Sequence, residues 1–409
     1  MFHLLIADKF PENKIALAQN MGIEVTYIPE ASSETLSALL KGKHALFVRS
    51  TEVTATSLEN ADDLMLIVRV GSGYNNIDVD EASKRGIYVA NCPGKNAIAV
   101  AELTIGLLLA VDRQIPKASQ FLQAGRWEKK RFSKADGLKG KSFGIAGWGQ
   151  IGQAVAKRAA AFDMEILAWS RSLTPRLAAK AGIGYCASVE ELCQRSDILS
   201  VHLPQTEETK GLFNDRLFQQ MKRGAIFINT SRGGLHDQEA LLRAMNERDL
   251  RVGLDVFFRE PEAAEAEYNH PLLHHERFVG TPHIGASTEQ AQLSVANAAL
   301  RILGTFLQEG VVLDCVNLRP DAPVPCHLSI RHYNKVGVLA QIMNILSRAG
   351  INIETMSNTI FRGGHTAVAQ MQLNRTPSDE ILQEIESMTE TIIQASIRTG
   401  HKLSTPQEE

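Results

Sequence analysis

Short strand-like runs alternate with longer helix-like stretches over roughly the first 95 residues. Apolar residues dominate the runs, which lie at 4–7, 24–27, 45–48, 66–70 and 88–91. Strands of this kind, separated by helices, are typical of a parallel sheet covered by helices. We therefore predict an α/β unit at the start of the chain.

A long apolar stretch at 97–112 predicts a helix that carries the chain into a second unit. Further strand-like runs follow at 198–202, 225–229, 253–256 and 278–280. The helical pattern at about 288–308 then returns the chain to the first unit. We expect two doubly wound parallel sheets, with a flavodoxin-like domain at 1–100 and 286–316 and a Rossmann-type domain at 101–285.

Three prolines mark a break in the chain. Pro320, Pro323 and Pro325 lie within 317–325, which we predict to be a linker. The segment after it predicts strand, helix, two strands, helix and strand, at 326–332, 338–349, 351–360, 366–373, 378–388 and 391–398. This order is ferredoxin-like, so we expect a third domain at 326–402.

A glycine motif stands between two predicted strands of the second unit. Gly147, Gly149 and Gly152 form G-x-G-x-x-G after a short buried strand, and an Ala-rich helix (153–162) and a second strand (164–169) follow. Glycines at such a turn permit a tight bend and let a pyrophosphate approach the helix N-terminus. In this context the motif predicts a dinucleotide-binding site rather than a structural turn.

The second strand of that motif ends without a carboxylate. An NAD-binding unit usually has an acidic residue there for the ribose 2′-hydroxyl, but this chain has Ser170 and Arg171. A hydroxyl and a guanidinium suit a 2′-phosphate, which favours NADP(H). The alternative is that Arg171 projects into solvent and NAD binds, so both cofactors stay open.

Composition and charge indicate which partners and which cell compartment to expect. Of the 409 residues, 44% are hydrophobic and 22% are charged, and the net charge is −3. We expect no nucleic-acid partner, because no basic excess is present. Five cysteines lack metal-ligand spacing, and their odd number suits a reducing cytoplasm. The start lacks a secretory signal and the longest apolar stretch is too short for a bilayer, so we expect a cytoplasmic protein without metal or membrane contact.

Polar residues end three predicted strands of the second unit. The first strand leads to Arg232, the second to Asp255 and Glu260, and the third to His283. Histidine can take a hydroxyl proton, a carboxylate can orient the imidazole, and a guanidinium can hold a substrate carboxylate. Each residue alone could be structural, but together they are the groups that a 2-hydroxy acid dehydrogenase needs.

The sequence resembles the D-isomer-specific 2-hydroxyacid dehydrogenase family over nearly its whole length. The resemblance rests on the segments above and on 69–78, 91–96, 113–116, 125–132 and 283–288. It implies that Arg232, Glu260 and His283 are catalytic. It also implies cofactor contacts, beside the glycines, at Gln150, Ile151, Thr230, Ser231, Asp255 and Gly285, which adds to Ser170 and Arg171 from the strand end above. The family's ribose-binding aspartate falls on Ser170.

Cationic residues of the first unit indicate whether the substrate carries a phosphate. Arg49 and Arg69 end predicted strands, and a basic cluster occupies 129–131. The resemblance places the two arginines, and the cluster, at a substrate phosphate, with Ser72, Gly73 and Asn96 also at the substrate. The alternative for the cluster is a solvated basic face.

The C-terminal domain resembles an ACT regulatory domain. His332 and Asn334 lie in the loop that opens a helix, and Asn352 lies just after that helix. The resemblance implies that these residues bind serine across an interface between domains, although relatives usually have Arg-Pro-Gly where 335–337 reads Lys-Val-Gly. The alternative is a domain that serves only assembly.

The resemblance implies a homo-dimer or homo-tetramer that transfers a hydride between NAD(P) and 3-phospho-D-glycerate or 3-phosphohydroxypyruvate. This reaction is the first step of L-serine biosynthesis. One alternative is an NADPH-dependent hydroxypyruvate or glyoxylate reductase. A second is a non-catalytic, dinucleotide-sensing protein like the corepressors that share the fold, since these can retain the same three residues.

Overall fold

A computed structural model describes residues 1–261, 265–319 and 326–399. The described residues divide into two compact units, one that ends at Asn317 and one that begins at Leu318, and each is described by itself below. The three prolines of the predicted linker and the end of the chain from residue 400 onward lie outside the described residues.

The first lobe of unit 1 is built on a five-stranded parallel sheet. Its strands are β1 (Phe2–Ile6), β2 (Ile23–Tyr27), β3 (Ala45–Val48), β4 (Leu66–Arg69) and β5 (Tyr88–Asn91), in the order β2-β1-β3-β4-β5. The helices between them are α1 (Glu12–Asn20), α2 (Ser33–Leu39) and α3 (Val79–Lys84). This strand order is the flavodoxin-like one.

The first sheet is buried on both faces, which explains its uninterrupted apolar runs. Leu4 and Ile6 enter one hydrophobic cluster, and Leu5, which alternates with them, enters another.

The second lobe begins with three helices and continues as a seven-stranded parallel sheet. The helices that lead into it are α4 (Ala97–Arg113), α5 (Ile115–Gln123) and α6 (Lys129–Phe132). The strands and helices then alternate as β6 (Ser142–Ala146), α7 (Gln150–Ala160), β7 (Glu165–Trp169), α8 (Pro175–Lys180), β8 (Gly184–Tyr185), α9 (Val189–Arg195), β9 (Ile198–Val201), α10 (Asp215–Gln220), β10 (Ile226–Asn229), α11 (Gln238–Glu247), β11 (Arg251–Leu254) and β12 (Phe278–Gly280).

The strand order of this sheet is β12-β11-β10-β9-β6-β7-β8. Counted from β6, it is the Rossmann order 3-2-1-4-5-6 with one strand added, so the order reverses between β6 and β9. Strand β8 has only two residues, too few to produce a periodic pattern in the sequence.

Helix α12 (Glu289–Glu309) follows the second sheet but packs on the first. Its buried residues, among them Val295, Ala299 and Leu303, share a hydrophobic cluster with Leu4 and Phe47. The chain therefore crosses between the lobes twice, through α4 and before α12.

Unit 2 contains a four-stranded antiparallel sheet with two helices. Its elements are β13 (Cys326–Tyr333), α13 (Val338–Arg348), β14 (Ile353–Ile360), β15 (Thr366–Leu373), α14 (Asp379–Glu386) and β16 (Ile392–Thr399), with the strands in the order β14-β15-β13-β16. The predicted fold class, two parallel α/β sheets and a ferredoxin-like unit, is confirmed.

The described residues, 1–261, 265–319 and 326–399, contain neither a membrane-spanning helix nor a metal-binding group of side chains. No helix there has both the length and the apolar character needed to cross a bilayer. In the same residues, no three or more His, Cys, Asp or Glu side chains form a group that could hold a metal ion.

Candidate active site

The glycine turn after β6 is shaped by backbone packing. A Cβ at Gly147, where φ is 107°, would lie 2.4 Å from the carbonyl oxygen of His202, and one at Gly152 would lie 2.1 Å from the carbonyl oxygen of Gly147. A Cβ at Gly149 would meet nothing within 4 Å. Gly147 and Gly152 thus allow the backbone segments of the turn to pack closely, and Gly149 leaves open space on the outer side of the turn for a ligand.

Helix α7 begins at this turn with unsatisfied amides. Gly149 is its N-cap, and no side chain caps the helix, so the N–H groups that begin with Gln150 and Ile151 remain available. The turn lies where the strand order reverses, between β6 and β9. Free amides at a helix N-terminus beside open space fit a pyrophosphate, so these residues would hold the diphosphate of NAD.

The end of β7 offers hydroxyls and a paired guanidinium. Ser170 Oγ lies 3.2 Å from Ser172 Oγ, and Arg171 Nη1 donates to Glu208 Oε2 at 2.7 Å. Both side chains of the ion pair are about 70% exposed, at 70% and 72%. Glu208 lies in the loop after β9, and no local pattern in the sequence singles it out. Its carboxylate pairs with Arg171 and makes no contact with Ser170 among the hydrogen bonds of the described residues.

Thr230 and Ser231 lie buried at the end of β10. The Thr230 hydroxyl is 2.9 Å from that of Thr104 on α4, and the Ser231 hydroxyl donates to the carbonyl of Val201 at 2.8 Å. These contacts fasten the end of β10 to α4 and to β9. The structure therefore fixes both residues at the end of β10, which is separated by β9 from the strand that precedes the glycine turn.

Asp255 fixes the segment that contains His283. Its carboxylate accepts hydrogen bonds from the Thr281 hydroxyl at 2.7 Å and from the backbone N–H groups of Ile284 and Gly285 at 2.8 Å. Burial raises the pKa of Asp255 above its ordinary value, and these donated bonds act in the opposite direction. Asp255 thus ties β11 to the loop after β12.

Glu260 and His283 form a short hydrogen-bonded pair. His283 Nδ1 and Glu260 Oε2 are 2.5 Å apart, and the other carboxylate oxygen accepts from the backbone N–H of Phe257 at 2.7 Å. Burial alone would raise the pKa of Glu260, but the hydrogen bond and charge of His283 hold it below its ordinary value. Because Nδ1 is engaged, Nε2 is the nitrogen left for proton transfer, and His283 is about half exposed, at 49%.

The guanidinium groups of two partly buried arginines lie against a glycine turn of the first lobe. A Cβ at Gly71 would lie 1.5 Å from Arg69 Nη1, and one at Gly73 would lie 1.7 Å from Arg232 Nη2. Among the described residues, Arg69 Nε has no hydrogen-bond partner. Burial, then the charges of Arg232 and Arg49, lower the pKa of Arg69 to about 10. Burial also lowers the pKa of Arg232, and Glu260 opposes this shift.

The other predicted substrate residues surround this turn. Asp8 accepts the backbone N–H of Arg49 at 2.6 Å, which fixes the end of β3. Ser72 Oγ donates to Asn96 Oδ1 at 2.7 Å and lies 3.3 Å from the carbonyl of Cys92. These bonds hold the turn that lies against the two arginines.

The basic cluster at 129–131 forms α6 and is exposed. The guanidinium of Arg131 lies over the rings of Phe121, at 4.8 Å, and Phe132, at 5.8 Å. The contacts of Arg131 therefore lie within its own segment, which agrees with the alternative of a solvated basic face.

The three predicted regulatory residues occupy different surroundings in unit 2. The prediction that His332 lies in a loop is wrong, because it belongs to β13 and continues the alternation of buried and exposed residues along that strand. Its side chain is 2% exposed, and its Nε2 lies 3.0 Å from Asn358 Oδ1. Asn334 Nδ2 donates to the carbonyl of Gly364 at 2.9 Å. Asn352 follows the C-terminal end of α13, whose 11 residues span about 16 Å. One chain thus does not bring Asn352 together with His332 and Asn334.

Asn229 is a site residue that sequence reasoning missed. Its amide nitrogen donates to the carbonyl of Arg232 at 2.9 Å and lies 3.0 Å from His236 Nδ1, while its oxygen accepts from the N–H of Ser231 at 2.9 Å. Asn229 therefore shapes the turn that carries Arg232. The available signal was an asparagine at the end of a strand, a residue that favours such side-chain-to-backbone turns.

Comparisons with known proteins agree with this geometry. Residues 105–285 match the D-isomer specific 2-hydroxyacid dehydrogenase, NAD binding domain, and residues 328–393 match the AHAS small subunit-like ACT domain. The chain is 40% identical over 318 residues to a D-3-phosphoglycerate dehydrogenase of Methanocaldococcus jannaschii. The aligned residues make up 76% of this chain and 59% of that protein. The chain thus spans less than two thirds of that relative.

Two further relatives match almost along their entire length. A glyoxylate reductase of Thermococcus litoralis is 38% identical over 324 residues, 77% of this chain and 96% of that protein. The crystal structure of an NAD⁺-bound 3-phosphoglycerate dehydrogenase of Entamoeba histolytica has 28% identity and a TM-score of 0.65, over 78% of this chain and 99% of that one. The resemblance inferred from the sequence is confirmed, and the chain belongs to the D-isomer-specific 2-hydroxyacid dehydrogenase family.

Proposed function

We propose that this protein interconverts 3-phospho-D-glycerate and 3-phosphohydroxypyruvate with NAD(P), the first step of L-serine biosynthesis. The observation that carries the proposal is the pair of partly buried arginines, Arg69 and Arg232, beside the Glu260–His283 pair. Buried cations are costly unless an anion compensates them. A substrate with both a carboxylate and a phosphate supplies two such anions.

The roles of the catalytic side chains follow from their bonds. During oxidation, His283 Nε2 accepts the proton of the substrate hydroxyl, while Glu260 on Nδ1 orients the ring and stabilises its protonated form. Arg232 holds the substrate carboxylate and polarises the reacting carbonyl in the reverse direction. The nicotinamide, when bound, supplies the hydride acceptor or donor.

Arg69 and Arg49 are the proposed phosphate ligands. Val48 pairs with Arg69 where β3 and β4 run side by side, so Arg49 is the next residue along the neighbouring strand. Its charge contributes to the lowered pKa of Arg69. Arg69 is also the residue whose Nε lacks a partner among the described residues, which leaves a donor for a phosphate oxygen.

For the cofactor, we propose that NADP(H) is used as well as NAD(H). The ion pair between Arg171 and Glu208 is exposed, and an exposed pair contributes little to stability. A 2′-phosphate can therefore displace Glu208 from Arg171 and bind beside Ser170. With NAD(H), the pair can stay intact, and the serine hydroxyls face the ribose.

The second candidate is an NADPH-dependent hydroxypyruvate or glyoxylate reductase. One observation favours it, namely that the match to the glyoxylate reductase of Thermococcus litoralis extends over 96% of that protein. Such a substrate has no phosphate, so this candidate leaves Arg69 without an anionic partner.

The test is the rate of reduction of 3-phosphohydroxypyruvate, hydroxypyruvate and glyoxylate, each at saturating NADH and at saturating NADPH. We expect the phosphorylated substrate to have the highest kcat/KM. Arg69→Gln should lower that value about 100-fold, the loss of one hydrogen bond to a charged group, and change the values for the other substrates little. Equal use of all three substrates would support the second candidate, and no turnover with any would favour a non-catalytic dinucleotide sensor.

We also propose a cytoplasmic homo-oligomer with serine as its effector. Asn334 and Asn352 lie at opposite ends of α13, so a site that uses both requires a second copy of the chain. All five cysteines are free, as suits a reducing compartment. Serine should raise the thermal midpoint and change the rate, and a titration that changes neither would exclude the effector.

A further inference from the structure

The loop that carries Glu260 is held by a ring of three hydrogen bonds. The backbone N–H of Phe258 donates to Gln238 Oε1 at 2.5 Å, and Gln238 Nε2 donates to the hydroxyl of Tyr268 at 3.4 Å. That hydroxyl donates to the carbonyl of Phe258 at 3.0 Å, which closes the ring. Gln238 is 8% exposed, so both polar atoms of one loop residue are bound by two side chains from elsewhere in the sequence.

The neighbouring peptide bonds connect this ring to the catalytic residues. The N–H of Phe257, one residue earlier, donates to Glu260 Oε1 at 2.7 Å. On its other side, a Cβ at Gly233 would lie 1.8 Å from the carbonyl oxygen of Phe257, so the segment that follows Arg232 packs directly against this peptide. The loop is thus enclosed between the Arg232 segment and the side chain of Gln238.

The turn itself needs such support. Arg259, between the ring and Glu260, has a φ of 56°, in the left-handed region that a non-glycine residue adopts only when its surroundings hold it. Gln238 begins α11, the helix that follows the turn after Arg232. The first residue of α11 therefore contacts the loop that carries Glu260, and so links the position of that carboxylate to the position of Arg232.

We propose that Gln238 and Tyr268 are positioning residues that set the Glu260–His283 pair in register with Arg232. This inference rests on the proposed function, because it assigns further residues to the same reaction. Neither side chain touches the reacting atoms. Their effect is transmitted through the Phe257–Phe258 peptides, so it concerns the rate of the chemical step rather than cofactor binding.

The experiment compares Gln238→Met, which removes both amide bonds at similar volume, with Gln238→Glu, which keeps the acceptor for the N–H of Phe258. We expect Gln238→Met to lower kcat 10- to 100-fold with an unchanged KM for NAD(H). Gln238→Glu should stay within about threefold of wild type, and Tyr268→Phe should fall between the two. Gln219→Met, at an exposed position of α10, is the matched control and should have wild-type kinetics.

The pH profile of kcat separates positioning from a structural role. The charged groups that face His283 are Glu260 and Asp255, and Arg232 acts on Glu260. A loosened Glu260 stabilises the imidazolium less, so the acidic limb of the oxidation profile should move to lower pH in Gln238→Met. A merely structural residue would lower the thermal midpoint and leave kcat and the profile unchanged.

Three results would overturn the inference: a wild-type kcat and pH profile in Gln238→Met, equal losses in Gln238→Met and Gln238→Glu, or the same loss in Gln219→Met. Each 2-keto acid that the wild type reduces serves as substrate. If the wild type does not prefer the phosphorylated 2-keto acid, the proposed substrate is wrong, but the kinetics of the variants with the other 2-keto acids still test the positioning role of Gln238 and Tyr268. If wild type reduces none, both fail.

Discussion

Gly73→Ala should separate the catalytic role of Arg232 from the stability of the fold. The new Cβ would lie 1.7 Å from Arg232 Nη2 and 2.9 Å from its Cζ. Ordinary contacts begin at about 3.4 Å, so the guanidinium must withdraw by about 1.7 Å. Because the obstructing atoms are the end of a flexible side chain, the arginine moves and the backbone does not. A displacement of 1 Å in an active site can lower the rate by about 100-fold, or about 2.7 kcal/mol.

The assay is steady-state reduction of the best 2-keto acid, together with thermal unfolding. We expect kcat/KM to fall at least about 100-fold while the thermal midpoint stays near that of wild type. Gly106→Ala in α4, where a Cβ meets nothing within 4 Å, is the control, and it should keep full activity and gain up to about 1 kcal/mol of stability. Wild-type activity in Gly73→Ala would refute the placement of Arg232 against this glycine.

Three more predictions follow from the same site and core. Arg171→Ala should lower kcat/KM for NADPH about tenfold and leave NADH unchanged, while Glu208→Gln should raise NADPH use; an unchanged NADPH/NADH ratio in both variants would contradict this. His283→Asn should lower kcat by more than about 100-fold with cofactor binding intact, measured by fluorescence titration. Burial lowers the pKa of His202 to about 3 and of His236 to about 4. Both are depressed below the unfolded value of about 6.5, so the unfolded state binds more protons, and the free energy of unfolding should fall by up to about 3 kcal/mol per pH unit from about pH 6 to pH 4. Denaturant titrations that give equal stability at pH 7 and pH 5 would refute it.

Features set by short-range sequence were predictable. The glycine turn is a local property of a strand and the helix that follows it, so Gly147, Gly149 and Gly152 identified it without tertiary information. Arg232, Glu260 and His283 were found because each follows a strand of one parallel sheet, and such strands end at the same edge. Both signals depend on spacing within a few residues.

Pairings between distant segments were not predictable in this way. Arg171 and Glu208 are 37 positions apart, and Gln238 and Tyr268 are 30 apart. Nothing in either segment indicates its partner, because the packing of the sheet and its loops brings them together. His332 is a different case, because its burial could have been predicted but was not: we expected it in a loop, whereas the alternation of buried and exposed residues in β13 places it on the same face as Leu328 and Ile330.

The glycines at 71 and 73 show how such a distant pairing can still leave a trace in the sequence. Gly73 has no positive φ, so its backbone conformation does not require glycine. What requires it is the approach of Arg232, a residue of the other lobe, and Gly71 makes similar room for Arg69. Withdrawing two cations from water costs stability, and it lowers the pKa of each guanidinium. That two glycines leave room for this arrangement is therefore an argument that the site is built around an anionic ligand.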